Sequence, residues 1–426
     1  MTSTEDRRTR RIAFLRALRH RNYRLFFGGQ GVSLVGTWIT RIATAWLVYR
    51  LTDSALLLGV VGFAGQIPVS LLSALAGALM DRWNLHRVLV ATQALAMLQS
   101  AALAVLTLSG VIQVWHVIVL ALFQGFINAF DTPARQAFVV RMVDDRADLG
   151  NAIALNSSMF NVARLIGPSI AGALIALVGE GVCFLVDAVS YLPVIAALLA
   201  MRLGPVRAQA RVGGALQDLR EGLRYAFGFP PIRALLLLVG TCSFTGMPYV
   251  VLMPVFARDI LHGGPDTFGL LMAAAGSGAL VGALYLASRR SVRGLGRIIV
   301  LMSSLFGAGL VAFACSRALW LSLPLLFVTG MGVLVQMAST NTVLQTIVED
   351  DKRGRVMSLY ITAVLGMQPF GSLFAGTLAQ HIGAPLTIGL GGGACIVASL
   401  AFARTLPALR ELIRPIYAQK GIIERS

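Results

Sequence analysis

Apolar stretches long enough to cross a lipid bilayer recur twelve times along this 426-residue chain. They lie near 23–49, 55–79, 88–109, 114–134, 152–178, 182–201, 233–257, 266–288, 297–315, 319–341, 357–381 and 385–404. A helix needs about 20 apolar residues to span the hydrocarbon core. Barrel strands would instead alternate apolar and polar over about ten residues, and these stretches do not. The stretches also fall into two matching sets. Gly77-Ala78-Leu79-Met80-Asp81-Arg82 is echoed about 205 residues later by Gly282-Ala283-Leu284 and the basic loop 289–297. Ala171-Gly172-Ala173-Leu174 through Gly179 returns as Ala375-Gly376-Thr377-Leu378 through Gly383, about 204 residues on. Two related bundles in one chain are the sequence pattern of an alternating-access transporter. The expected fold is therefore all-α, with twelve transmembrane helices in two pseudo-symmetric six-helix bundles around a central cavity.

The net charge of +17 raises the question of nucleic acid. The arrangement of the charge answers it. Counted from the Arg-rich start, basic residues return on one side of the membrane: Arg82 and Arg87, Arg135 to Arg146, Arg202 to Arg233, Arg289 to Arg297, Lys352 to Arg355, and Arg404 onward. The opposite loops hold Arg50, Arg258 and Arg317. This asymmetry places both termini in the cytoplasm. The anionic inner leaflet accounts for the charge without a nucleic-acid partner. The first span is too long and too polar for a signal-peptide core and is expected to be retained.

The chain divides into a basic cytoplasmic tail at 1–22, an N-terminal six-helix bundle at 23–202, a cytoplasmic linker at 203–232, a C-terminal bundle at 233–404 and a cytoplasmic tail at 405–426. Within the linker, Leu216, Leu219, Leu223 and Phe227 recur at helical spacing, which predicts an amphipathic helix on the inner surface. It serves either as a strap between the halves or as a plain tether. The four cysteines all fall in apolar spans, so no disulfide framework or zinc spacing follows. Nothing in the sequence assembles paired catalytic carboxylates, metal ligands or a nucleophile. No phosphate-binding loop is present, so ATP is not expected to act directly. No cofactor, no metal and no enzymatic activity are expected.

Several motifs carry more. The loop after the second span contains Gly77, Asp81, Arg82 and Arg87. Its glycine suits a close helix approach, its acid a helix N-terminus, and its arginines a carboxylate or lipid phosphate. The loop resembles the signature cytoplasmic gate of the major facilitator superfamily, with Asn84-Leu85 where a Gly-Arg pair is usual. The fifth span contains Gly167-Pro168 and, after Ala171, Gly172. This is similar to the antiporter motif of that superfamily's exporters. Asn128 to Ala137, Asn341 to Ser358 and Met253 to Arg258 resemble the enterobactin-exporter-like branch of bacterial facilitators. The resemblance runs from about Arg21 to Arg404. It implies a proton-driven efflux protein of the bacterial inner membrane, carrying siderophores or drugs. One departure is Ala121, which stands where many proton-driven facilitators have Arg before the pair matched here by Gln124-Gly125.

Charges within a span cost roughly 3 kcal/mol each and ask for a reason. Four stand out: Arg41, Asp131, Arg164 and Asp187. At 1.5 Å per residue, Asp131 and Arg164 lie roughly 25 and 21 Å from the outer face. Arg41 and Asp187 lie roughly 13 and 9 Å from it. Two pairs are thus expected: Asp131–Arg164 as a coupling switch and Arg41–Asp187 as an organiser of the outer half. The alternative is that both only staple helices. Polar side chains at helical spacing are expected to line the cavity: Gln30, Ser33 and Thr37; Gln124 and Asn128; Ser157 and Asn161. Across from them stand Gln336, Asn341, Gln345 and Gln368.

These features lead to export of a small organic molecule by a monomeric secondary transporter that exchanges it for protons. An importer or facilitative carrier of the same fold is the nearest alternative. A non-transporting membrane sensor or scaffold is the alternative from another class. It would require a signalling domain, and only about 22 residues follow Arg404.

Overall fold

The computed structural model describes residues 16–80, 83–143, 145–201, 215–289 and 291–420. Among these it is helical throughout, without a strand. The helices are α1 (Arg21–Thr52), α2 (Ala55–Met80), α3 (Leu85–Leu108), α4 (Val114–Val139), then α5 (149–178) and α6 (180–199). A shorter helix, α7 (Ala215–Gly228), follows. The remainder are α8 (Pro230–Ile260), α9 (Pro265–Ser288), α10 (Leu295–Cys315), α11 (Leu319–Ile347), α12 (Arg353–Ile382) and α13 (Ala384–Gln419). All but α7 are long and apolar enough to cross a bilayer, once the continuous 51-residue run Leu149–Leu199 is divided at Gly179. This is the twelve-span, all-α architecture expected from the sequence.

Gly179 adopts φ 81°, ψ 172°, and Gly383, at the corresponding place in the second half, adopts φ 84°, ψ 155°. That region of backbone space belongs essentially to glycine. A single residue thus reverses the chain in each repeat. The spans α8 and α12 widen into π-turns at Cys242–Gly246, Phe256–Ile260 and Thr362–Gly366. Such turns interrupt the regular ladder and recur at functional positions.

Close-packed helices sit at the small residues. A side chain at Gly278 in α9 would meet the Phe327 carbonyl of α11 at 1.8 Å, and one at Gly330 would meet the Ala275 carbonyl at 1.9 Å. Lipid offers no hydrophobic drive for helix association, so such backbone contact supplies it through packing. The outward surface stays apolar: Leu177 is 80% exposed and Val397 67%. Lipid tails cover such a surface.

The helices gather into two compact units. The first contains the described residues up to Leu47 and those between Leu71 and Arg211; the second contains Val48–Ser70 and those from Val212 on. The end of α1 and the first part of α2 therefore cluster with the C-terminal helices. Their side chains explain why. Tyr49 hydrogen-bonds Asp259, Asp53 pairs with Arg258, and Ser54 donates to Gln380 at 3.1 Å. Gly59 and Gly376 bring α2 and α12 into backbone contact.

In the first unit, the turn Arg16–Arg19 is built into the fold. Asp148 is fully buried between Arg16 and Arg19, each at 2.7 Å, and His20 at 3.0 Å. Burial alone would push the Asp148 carboxyl up. The hydrogen bond with His20 and the two guanidinium charges outweigh it and hold the carboxyl below its usual value. In the second unit, α7 docks on the start of α12 through Arg355–Glu221 at 2.8 Å. Its buried positions are Gly222 and Ala226, whereas Leu223 and Phe227 are exposed. The described part of the predicted apolar stripe, Leu223 and Phe227, thus points away from the protein, as a helix resting on a membrane surface requires. The side chains of Leu216 and Leu219 lie outside the described residues.

Candidate functional site

The predicted Asp131–Arg164 pair does not form. Asp131 is 2% exposed and pairs through Oδ2 with Arg135, one turn along α4. Its Oδ1 accepts from Thr92 Oγ1 at 2.9 Å and Gln93 Nε2 at 2.8 Å on α3. Both carboxylate oxygens are thereby met by donors, one of them cationic. The sequence places the end of this span near 134. Instead α4 runs through Pro133 to Val139, which carries Arg135 onto the Asp131 face. Thr92, Gln93 and Arg135 are the site residues that sequence reasoning missed. The i,i+4 spacing of Asp131 and Arg135 was the available signal.

The predicted Arg41–Asp187 pair does not form either. Asp187 is 1% exposed and accepts from Ser100 Oγ at 2.7 Å, with Ser190 Oγ at 3.5 Å. It makes no ion pair among the described residues. Gly36 of α1 packs over it: a Cβ there would lie 2.7 Å from Asp187 Oδ1. Arg41 is exposed instead, with its guanidinium 5.3 Å from the Trp38 ring centroid and close enough to Arg164 for the like charges to interact. Neither arginine pairs with Asp131 or Asp187 among the described residues.

The remaining candidates divide by unit. In the first, Gln30 and Ser33 are buried, Thr37 and Ser157 are exposed, and Asn161 is half-buried. Gln124 donates to Asn128 at 3.2 Å. In the second, Gln345 donates to Asn341, and Gln368 is half-buried. Gln336 is 1% exposed, and neither its Nε2 nor its Oε1 has a partner among the described residues. A buried amide left unpaired costs about 1–3 kcal/mol. No cluster of His, Cys, Asp or Glu able to hold a metal ion occurs among the described residues.

In the motif loop, Asp81 and Arg82 lie outside the described residues. Gly77 does not serve the predicted close approach, since a Cβ there would meet nothing within 4 Å. Arg87 is exposed in the first turn of α3. Asn84 caps that helix, its Oδ1 accepting from the His86 and Arg87 amides at 3.1 and 3.3 Å. The departure from the usual motif is thus a helix cap. Gly167 lets α5 press on α1, where a Cβ would reach 2.4 Å from Trp38 Cβ; Pro168 and Gly172 are buried beside it.

A family described as transmembrane secretion effector matches residues 12–414. The chain belongs to this family. Its relatives among characterised proteins are transporters. It is 30% identical over 381 residues to the staphyloferrin A transporter of Staphylococcus aureus, covering 88% of this chain and 94% of that protein. It is also 30% identical over 388 residues to the multidrug efflux pump Tap of Mycolicibacterium fortuitum, covering 88% and 93%. Among solved structures, a POT family transporter in complex with 5-aminolevulinic acid superposes with a TM-score of 0.73 at 10% identity, over 91% of this chain and 96% of that one. A bacterial homologue of the iron transporter ferroportin, in an inward-facing state, gives 0.69 at 16% identity, over 90% and 98%. The chain is therefore a multi-pass membrane transporter of the major facilitator superfamily's siderophore and drug-efflux branch, and not an enzyme.

Proposed function

We propose that this transporter exports a small organic molecule across the bacterial plasma membrane in exchange for protons, by alternating access, as a monomer with both termini cytoplasmic. The single observation that carries the coupling is Asp187. An ionised carboxylate inside a span is costly unless a cation compensates it. Asp131 has Arg135; Asp187 has hydroxyl donors alone. A bound proton removes the uncompensated charge, and its release requires a conformation in which water or a cation reaches the site. Proton binding at Asp187 is thereby tied to which conformation the transporter occupies. Asp187 replaces Asp131 as the coupling residue, and Asp131–Arg135 with Thr92 and Gln93 ties α3 to α4.

The cargo follows from the branch and from the chemistry of the spans. Arg41 and Arg164 favour an acidic or acid-bearing amphiphile, and the unpaired Gln336 amide favours a polar group. A siderophore-like or drug-like molecule meets both requirements. The Glu221–Arg355 contact makes α7 a strap fastened to the C-terminal bundle.

Inverted vesicles with an acid lumen and a pH-sensitive dye test this reading. Adding siderophores and amphipathic drugs should release lumenal protons with the wild type and with Asp131→Asn, but not with Asp187→Asn. Cargo uptake into these vesicles without proton release would refute antiport. Release preserved in Asp187→Asn would remove the assigned residue.

A further inference from the structure

A cavity of about 400 Å³ opens in the second unit, where α8 begins, α10 begins, α11 ends and α13 runs on. Its walls are apolar, with Leu235, Phe402 and Leu406 among them. Four arginines also line it, Arg293 and Arg297 around the start of α10 and Arg410 and Arg414 on α13. No acidic side chain lines it among the described residues. Gly294, at φ 78°, caps the 21-residue α10, so the positive end of that helix faces the same space. The volume lies in the ordinary range for a ligand site.

The length of α13 sets the level of the arginines. Its 36 residues span about 54 Å, whereas the hydrocarbon core is about 30 Å thick. Arg410 and Arg414, about 39 and 45 Å along α13 from its start, therefore lie past the core, from the headgroup layer outward. An apolar slot that begins in the core and ends in guanidinium groups at that level matches one chemistry: an anionic head joined to a hydrocarbon chain. Arginine suits it better than lysine, because its planar fork meets phosphate oxygens two at a time.

We propose that this cavity is a binding site for an anionic phospholipid, with its phosphate held by the arginines and the upper part of an acyl chain against Leu235, Phe402 and Leu406. The lipid bridges α8, α10, α11 and α13 of the second unit. It is separate from the transport chemistry at Asp187.

The test uses purified full-length transporter, delipidated in a neutral detergent. Native mass spectrometry is run with phosphatidylglycerol, with phosphatidylcholine and with inorganic phosphate. Phosphatidylglycerol should bind at least about 10-fold more tightly than phosphatidylcholine. At about 1 kcal/mol for each arginine near an anionic head, Arg297→Gln with Arg410→Gln should weaken phosphatidylglycerol about 30-fold, and Lys at both positions should restore part of it. Leu406→Trp fills the slot and should weaken the lipid while leaving all four arginines in place. A diazirine-bearing phosphatidylglycerol should label peptides covering 291–299 and 402–417 in the wild type, which locates the site even if a variant fails to fold. Equal binding of the two lipids, or labelling only elsewhere, would overturn the proposal. Displacement of the lipid by millimolar phosphate would reduce the site to a headgroup-only anion site and overturn it equally.

Discussion

Removing the Arg135 guanidinium tests the reading of the α3–α4 contact. Asp131 Oδ1 would keep Thr92 and Gln93, but Oδ2 would lose its cation. Stripping one partner from a buried ion pair costs about 3–5 kcal/mol. Arg135 is 24% exposed and Asp131 3% by side chain, which places Arg135→Gln near the lower end, about 3 kcal/mol. Asp131→Asn alone leaves a cation that can turn toward water, and about 1–2 kcal/mol is expected. In the double variant both charges are gone, and the asparagine carbonyl still accepts from Thr92 and Gln93, so about 1 kcal/mol is expected. The cycle should therefore show a coupling of about 3–4 kcal/mol between Asp131 and Arg135. The assay is unfolding of the purified transporter in mixed micelles by titration with a denaturing detergent, followed by circular dichroism. A parallel cycle of Asp131→Asn with Arg164→Gln should show coupling below about 0.5 kcal/mol. Strong coupling to Arg164 with none to Arg135 would refute the assignment and restore the pair expected from sequence depth.

Three further outcomes follow from contacts described above. A side chain at Gly376 would reach 2.7 Å from the Ala55 carbonyl and 2.8 Å from Gly59 Cα, so Gly376→Val should destabilise the described conformation by about 1–3 kcal/mol; an unchanged unfolding midpoint would show that the α2–α12 contact is looser than drawn. Gln336→Leu should stabilise the fold by about 1 kcal/mol, because it removes an unpaired buried amide, while lowering cargo transport; full transport would remove Gln336 from the cargo site. The Asp148 carboxyl is held below its usual value, so its grip on Arg16, Arg19 and His20 is complete above about pH 3.9, the ordinary unfolded value, and fades only as pH falls through the lower folded value. Protection from hydrogen exchange across 16–23, taken relative to the intrinsic rate, should fall only below about pH 4 in the wild type and be lower at every pH in Asp148→Asn; a fall in the wild type between pH 5 and 6 would mean that another group holds the turn.

Much of the architecture is written in one-dimensional patterns. Lipid solvation demands apolar runs of fixed length, so the spans can be counted. The repeat of Ala171 to Gly179 at Ala375 to Gly383 ends in the same backbone conformation twice. The charged site was harder to read. Depth along a helix follows from counting residues, and both expected pairs matched in depth. Azimuth does not follow. Gly36 sets α1 against α6, which turns Asp187 toward Ser100 and leaves Arg41 exposed beside Trp38. The partner of Asp131 was hidden for another reason. The apolar run ends near 134, which leaves Arg135 counted with the basic loop, but a transmembrane helix continues through a proline such as Pro133 where its neighbours satisfy the freed groups. The Gln336 environment depends on three-dimensional packing and has no counterpart in the sequence.

The one-residue reversals at Gly179 and Gly383 also constrain mechanics. A one-residue link holds two Cα–Cα steps of 3.8 Å, at most about 7.6 Å in all, and two helix axes packed about 8–10 Å apart already use up that reach, leaving none for the 5.4 Å of a helical turn. A link that short cannot let α5 slide along α6, or α12 along α13, by even one turn. Piston-like strokes between those partners are forbidden; each couple can only tilt or rotate as a hinged blade, with its pivot at the glycine. Lengthening either link by a few glycines would therefore change the permitted movement while leaving every helix intact.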